Sequence, residues 1–281
     1  MKQKGKLGRF RTAIQMELSE HKSSFTVYMI LRSLVIIIGV TQFLCGNYQS
    51  SFMCLLTLIL LMMPSFMQLT LRVELPTMLE IILLLFVFAA QILGELFEFY
   101  ILFPYWDTML HTLNGFLAAA IGFSLVSLLN ESDRLVFHLS PMFMAIVAFS
   151  FSMTIGVLWE MFEFAMDQWF SFDMQKDTII QSFSTVVLDP AGGNSPYVIT
   201  GIQDVAINGE SLNLGGYLDI GLIDTMWDLI VNFIGAAVFS VLGAFYVKSK
   251  GNSIISNLIP TKKDEDKDYL SQVMNETDPV N

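Results

Sequence analysis

Charge is scarce in this chain of 281 residues: 15% of its residues are charged, whereas a soluble protein carries about 25%. Cysteine and histidine are scarcer still, with 2 and 3 copies. So few charges exclude a disordered protein, and so few cysteines exclude a secreted disulfide scaffold. The net charge of -11 excludes a nucleic-acid binder, because the chain would repel phosphates.

Hydrophobic sequence is abundant instead, at 54% of the residues and a mean hydropathy of +0.59. A helix that crosses the hydrocarbon core needs about 20 mainly apolar residues. We therefore predict an all-α polytopic membrane protein with about six transmembrane helices in residues 25–247. Five spans and a re-entrant segment form the nearest alternative. The predicted spans are 25–45, 50–71, 76–99, 108–130, 141–168 and 225–247.

Lysine and arginine in the flanks predict the direction of these spans. Residues 1–24 form a basic segment, and residues 248–281 form a charged tail that we expect to be disordered. If the spans alternate, both segments lie on the side that is rich in Lys and Arg. We predict a multi-pass plasma-membrane protein whose N- and C-termini are cytoplasmic.

The segment between the last two spans, residues 171–223, is too long for a simple connection. Thr178–Ile180 and Ser184–Leu188 are short β-like runs, and Asn208-Gly209 between apolar neighbours is a two-residue hairpin signal. We predict a small β-containing extracytoplasmic loop. It serves either as a plain surface loop or as a lid over a site below it.

Acidic residues gather at the outer ends of the spans. Residues 23–247 contain four basic residues against eighteen acidic ones, and eight of the acids lie at span ends that face the outer leaflet. His111 and all four tryptophans lie at the same predicted depth, which tryptophan favours. Spacings of three and four residues place these side chains in pairs on single helix faces. The candidate metal ligands are Glu95, Asp107, His111, Glu160, Glu163, Asp224 and Asp228.

Several of these residues also have structural interpretations. Asp107 and Asp224 begin helices and can serve as N-caps. Glu98 and Asp167 can be solvated at the interface. A second set, predicted to lie around the ligands or at the rim, contains Glu98, Asp167, Asn232, Trp159 and Trp227.

Electrostatic repulsion limits how many of these carboxylates can be ionised at the same time. With only Lys176 available on that side, they cannot all stay ionised in a partly dry site. Either protons neutralise several of them, as in a proton relay, or a divalent metal ion does. Oxygen ligands with one imidazole suit Mg²⁺, Ca²⁺ or Mn²⁺, and the residue types leave Fe and Zn open.

Small and amide residues in the spans predict helix packing. Gly115, Gly235 and Ala236 favour close approach of helices, and Asn232 and Asn114 favour an interhelical hydrogen bond. Cys45 and Cys54, near the outer ends of spans one and two, are either separate thiols or a disulfide.

Residues 95–245 carry motifs that resemble the YjdF-like family of bacterial inner-membrane proteins, which is uncharacterised, and more remotely the VanZ-like family. The resemblance implies a multi-span protein of the bacterial plasma membrane and does not imply a reaction. The motifs are Asp107-x3-His111-x3-Gly115, Trp159-Glu160-x2-Glu163 and Asp224-x2-Trp227-Asp228-x3-Asn232-x2-Gly235-Ala236.

Three functions remain open from the sequence. The first is a metal-dependent enzyme acting on a lipid or cell-envelope substrate at the outer leaflet. The second is a cation or proton-coupled transporter. The third is a membrane sensor or binding protein with a structural metal. The expected partners are the lipid bilayer and such a substrate, with no nucleic acid, and the sequence does not define an oligomeric state.

Overall fold

A computed structural model describes residues 6–20, 22–71, 73–130, 139–249, 257–263 and 268–275. Within these residues the protein is mainly helical, with short antiparallel strand pairs. The α-helices are α1 (Lys6–Glu20), α2 (Lys22–Leu44), α3 (Tyr48–Leu60), α4 (Met63–Leu71), α5 (Thr77–Phe88), α6 (Phe99–Leu102), α7 (Trp106–Asn130), α8 (Pro141–Phe170), α9 (Leu222–Lys248) and α10 (Tyr269–Asn275). A π-helical segment, Ala89–Leu96, continues α5.

The strands are two to four residues long and pair two by two. They are β1 (Val73–Glu74), β2 (Thr178–Ile180), β3 (Ser182–Thr185), β4 (Tyr197–Thr200), β5 (Ala206–Ile207), β6 (Glu210–Ser211), β7 (Tyr217–Asp219) and β8 (Thr261–Lys262).

Six helical segments in the described part of the chain are long and apolar enough to cross a membrane, as predicted. They confirm the fold class, and each begins within three residues of its predicted start. The six segments are Lys22–Leu44, Tyr48–Thr70, Thr77–Leu96, Trp106–Asn130, Pro141–Phe170 and Leu222–Lys248. The two cysteines near the junction of the first two segments are free thiols, Cys45 exposed and Cys54 buried.

The chain divides into two compact units: residues 1–154 with 232–281, and residues 155–231. Helices α8 and α9 run without a break through the points of division. The core of the first unit contains Ala119, Phe123, Ala148 and Phe239, none of which has any exposed surface. Phe123 and Phe239 meet at a centroid distance of 6.2 Å, which joins α7 to α9.

The second unit contains the loop that the sequence predicted to be β-containing. Strand β2 pairs with β7, β3 with β4, and β5 with β6, all antiparallel. The β5–β6 hairpin turns at Asn208 and Gly209, with φ of 54° and 89°. Positive φ at both central residues is what a tight two-residue hairpin requires, so the prediction for Asn208-Gly209 is confirmed. Strand β3 begins at Ser182, two residues before the predicted run.

One turn in this loop depends on a single carboxylate. Asp189 accepts hydrogen bonds from the backbone N–H groups of Ala191 at 3.0 Å, Ser195 at 3.2 Å and Gly193 at 3.0 Å. These bonds, that of Ala191 first, hold the pKa of Asp189 below its usual value of 3.8. Because the folded pKa is depressed, the stabilisation is complete above the unfolded value and is lost as pH falls through the folded value.

We therefore expect the turn at 189–195 to loosen only below pH 3.8. The amide chemical shifts of Ala191, Gly193 and Ser195, followed by NMR during acidification, should titrate together. Asp189→Asn should remove that shared titration. Amide shifts that stay constant in the wild type through this range would contradict the role of Asp189.

Part of the C-terminal tail, which the sequence predicted to be disordered, has regular structure. Strand β8 pairs with β1, with Val73 opposite Lys262, and α10 packs against α1. Lys263 forms an ion pair with Glu17 of α1, and both side chains are 3% exposed. The prediction missed this pair because alternating charges in a tail are usually solvated.

Candidate metal site

The two helices that carry the candidate site, α7 and α9, pack closely against each other. A Cβ atom added to Gly115 would lie 2.0 Å from the carbonyl oxygen of Asn232, and one added to Gly235 would lie 1.9 Å from the carbonyl oxygen of Thr112. The two backbones are therefore in direct contact, which only glycine permits. The sequence had marked both glycines for close packing, and the structure confirms it.

Two amide side chains lie at this crossing. Asn114 of α7 donates through Nδ2 to Oδ1 of Asn232 on α9 at 3.0 Å. Asn232 has no exposed surface, and its Nδ2 donates to Sδ of Met153 at 3.6 Å. The predicted interhelical hydrogen bond is confirmed. It fixes the rotation of α7 and α9 relative to each other.

One turn toward the start of α7 lies the Asp107–His111 pair. The distance between His111 Nε2 and Asp107 Oδ1 is 3.4 Å, and the side chains are 11% and 30% exposed. Helix α7 begins at Trp106, so Asp107 lies in its first turn rather than at the N-cap. The spacing of four residues places the carboxylate directly over the imidazole.

Asp228 lies one turn before Asn232 on α9 and is 4% exposed. Three ligand atoms lie within 4.8 Å of one another, one each from Asp107, His111 and Asp228. Two carboxylates and an imidazole at this separation are a donor set that divalent cations accept. These are three of the seven ligands that the sequence predicted, and they come from two helices.

The other four predicted ligands lie outside this group of three. Glu95 is half-buried in the π-helical segment. Glu160 and Glu163 of α8 are buried, 5% and 8% exposed, and Glu163 accepts a hydrogen bond from Trp159 Nε1 at 2.9 Å. Asp224 Oδ2 accepts from the backbone N–H of Lys176 at 2.7 Å, which ties the start of α9 to the preceding loop.

The predicted rim residues have different environments. Asn232 is buried at the helix crossing, whereas Trp227 is 61% exposed. Glu98 is exposed at a left-handed backbone position, with φ of 59°. Asp167 is not simply solvated: its two carboxylate oxygens accept from the backbone N–H groups of Met174 at 2.7 Å and Gln175 at 2.9 Å.

Sequence reasoning missed the residue that caps α9. Asp219, not Asp224, accepts from a backbone N–H at the helix start, that of Ile223 at 2.9 Å. Helix α9 begins at Leu222, so the N-cap interpretation of Asp224 is wrong. The spacing Asp219-x3-Ile223 carried the signal, but Asp219 lies before the predicted start of this span at residue 225.

The carboxylate, imidazole and amide side chains of this cluster lie toward the first residues of α7 and α9. Below Asn114 and Asn232, most buried residues of α7 and α9 are apolar, and Ala119, Ala236 and Phe239 have no exposed surface. Among the described residues of these two helices, Ser124 and Ser240 are the buried polar exceptions below that level. Ser152, the next buried hydroxyl, is satisfied by the carbonyl oxygen of Gly115 at 2.7 Å. The cluster therefore lies on one side of a mainly apolar layer, the apolar barrier formed by Ala119, Ala236 and Phe239.

Together the fold and this cluster define a polytopic α-helical membrane protein with a carboxylate and histidine group on two of its helices. A family model described as "predicted membrane protein (DUF2238)" matches residues 25–249, which is most of the chain, so the chain belongs to that family. No curated protein and no solved structure matches it. The YjdF-like and VanZ-like resemblances stay predictions.

Proposed function

We propose that this protein binds a divalent metal ion through Asp107, His111 and Asp228 and uses it to act on a lipid or cell-envelope substrate. The observation that carries the proposal is the convergence of three ligand atoms from α7 and α9 within 4.8 Å. Two of the three side chains are largely buried, at 11% for His111 and 4% for Asp228.

Charge supports a cation at this position. Two carboxylates so close to each other in a low-dielectric environment repel unless a positive charge lies between them. A divalent ion supplies that charge and also accepts the imidazole nitrogen. The donor set suits Mg²⁺, Mn²⁺, Ca²⁺, Fe²⁺ or Zn²⁺.

The number of ligands favours chemistry over a purely structural ion. Catalytic zinc sites, for example, characteristically have three protein ligands and keep a position open for water or substrate. A metal held by Asp107, His111 and Asp228 would supply Lewis-acid chemistry toward water or toward a phosphoryl or carbonyl group. Asn114 and Asn232 would hold α7 and α9 in register below the ion.

The proposed place of action is the outer leaflet of a bacterial plasma membrane. The distribution of Lys and Arg favours cytoplasmic termini, and in that orientation the start of α7 and of α9 would lie on the outside. The resemblance to YjdF-like and VanZ-like proteins agrees with this compartment. Loop 171–223 precedes α9 directly and is proposed as the lid.

The four remaining carboxylates are proposed to assist the bound ion. Glu95 lies in a π-helical segment, a distortion that is frequent at functional sites. Glu160 and Glu163 are buried acids in a membrane-spanning helix, which are functional candidates by default. We assign them proton exchange or additional coordination when substrate is bound.

A proton-coupled or cation carrier is the second candidate, because Asp107 and His111 already form an ion-pair geometry that a proton can stabilise. The apolar barrier of Ala119, Ala236 and Phe239 opposes it, since a carrier needs a polar path to the other side. We therefore rank the enzyme first.

Manganese binding tests the proposal. Electron paramagnetic resonance should show that purified wild-type protein binds Mn²⁺ and that Asp228→Asn weakens binding by at least about tenfold, since one ligand is lost. Glu210→Gln, which removes an exposed carboxylate of the β5–β6 hairpin, should bind like the wild type. Equal Mn²⁺ binding by wild type and an Asp107→Asn/Asp228→Asn variant would refute the site.

Cation flux separates the two candidate functions. In proteoliposomes, an enzyme should show no Mn²⁺ uptake above that of empty vesicles. Uptake that Asp228→Asn abolishes and Glu210→Gln preserves would instead establish the carrier.

A further inference from the structure

A second feature of the first unit lies between the start of α8 and the end of α9, where a groove of about 350 Å³ opens. Small side chains form its floor: Ala237, Ser240 and Ala244 of α9. Large apolar side chains form its walls, among them Ile146 and Phe245, which are 51% and 61% exposed.

The groove lies within two membrane-spanning segments and therefore faces lipid. Along α9 it extends from Ala237 to Lys248, which at 1.5 Å per residue is about 16 Å. That length is roughly half of a hydrocarbon core of about 30 Å, so the groove spans one leaflet.

One end of the groove is positive. Lys248 is exposed there, and its Nζ lies 5.9 Å from the centre of the Phe245 ring, against the groove wall. The N-terminus of α8 lies at the same end, with Ser140 Oγ accepting from the N–H of Phe143 at 3.2 Å. Lysine at a helix end and the positive pole of a helix dipole both favour an anion.

We propose that this groove holds one acyl chain of an anionic phospholipid whose phosphate is bound by Lys248. Basic pockets between membrane helices are a known way to bind acidic headgroups. The volume is that of a small-molecule site and is too small for a second helix. The groove shares no residue with the proposed metal site, so the two proposals can be tested independently of each other.

Native mass spectrometry of the full-length protein in detergent tests this. The protein is mixed with equal amounts of phosphatidylglycerol and phosphatidylcholine, which differ in headgroup charge. The wild type should retain phosphatidylglycerol about tenfold better, the value of one charge-assisted contact. Lys248→Gln should bring the ratio near one, while Lys22→Gln, at the exposed start of α2, should leave it unchanged.

A second variant tests the groove itself. Ala244→Phe fills the floor and should reduce retention of both lipids, whereas Val238→Phe, an exposed α9 position outside the groove, should not. Folding of each variant is checked by size-exclusion chromatography and thermal unfolding.

Two results would overturn the proposal. One is equal retention of both lipids by the wild type. The other is a wild-type dimer that retains no lipid and that Ala244→Phe dissociates, because the groove would then be covered by a second copy of the chain.

Discussion

Gly115→Ala and Gly235→Ala should each prevent α7 and α9 from packing as they do in the wild type. In an isolated helix, alanine stabilises by about 1 kcal/mol over glycine. Here the added methyl group would lie 2.0 Å or 1.9 Å from a backbone oxygen of the other helix. A backbone atom cannot rotate away as a side chain does, so the helices must separate by about 1 Å, and overpacking of this kind costs about 1–3 kcal/mol or more.

The separation should also be felt at the cluster one turn away. Asp228 would move from Asp107 and His111, so any variant that still folds should bind Mn²⁺ more weakly than the wild type. Thermal unfolding in detergent, followed by near-UV circular dichroism, measures the loss of stability. Electron paramagnetic resonance of Mn²⁺ measures the weaker metal binding.

Gly39→Ala is the matched control for both variants. Its Cβ would lie 3.1 Å from the Cβ of Cys54, so the neighbouring helix needs to shift by only a few tenths of an ångström. We expect its unfolding temperature to stay near that of the wild type. If Gly235→Ala unfolds at the same temperature as Gly39→Ala, the backbone contact between α7 and α9 is wrong.

Glu17→Gln should lower the free energy of unfolding by about 3–5 kcal/mol. Glu17 and Lys263 are both 3% exposed, so the substitution would leave a buried ammonium group without its counter-charge. Lys263 also lies 5.2 Å from the centre of the Tyr269 ring, so its release should loosen α10 from α1. Thermal unfolding and limited proteolysis of the tail measure the two consequences.

Two further variants test whether the loss of stability comes from breaking the buried ion pair. Lys262→Gln removes the neighbouring exposed charge of β8 and should change stability by less than about 1 kcal/mol. A Glu17→Leu/Lys263→Met variant, which removes both charges, should recover much of the loss, because apolar pairs often replace buried ion pairs at no cost. A Glu17→Gln protein as stable as Lys262→Gln would contradict the buried pair.

The spans could be predicted because hydropathy is a local property of the chain. The hairpin at Asn208-Gly209 could be predicted for the same reason, since two adjacent residues define the turn. The regular structure of the C-terminal tail, in contrast, depends on residues that are far apart in the sequence. Glu17 and Lys263 are 246 positions apart, and neither sits in a pattern that distinguishes a buried charge from a solvated one.

The candidate site was predictable in part for the same reason. Periodicity placed His111 over Asp107, because both lie on one helix. It did not show which helices meet, and so it left seven candidate ligands without showing which of them come together. The contact of Gly115 with the backbone at Asn232 selects α9 as the partner of α7 and brings Asp228 to the pair.

The content of divalent metal in purified protein tests the central claim most directly. Elemental analysis of wild-type protein, purified in detergent with weakly bound ions retained, should find about one divalent metal ion per chain. The Asp107→Asn/Asp228→Asn variant keeps the size of both side chains and should contain none, while Glu210→Gln should match the wild type. Metal-free wild-type protein, or equal metal in the double variant, would contradict the assignment of Asp107, His111 and Asp228 as a metal site.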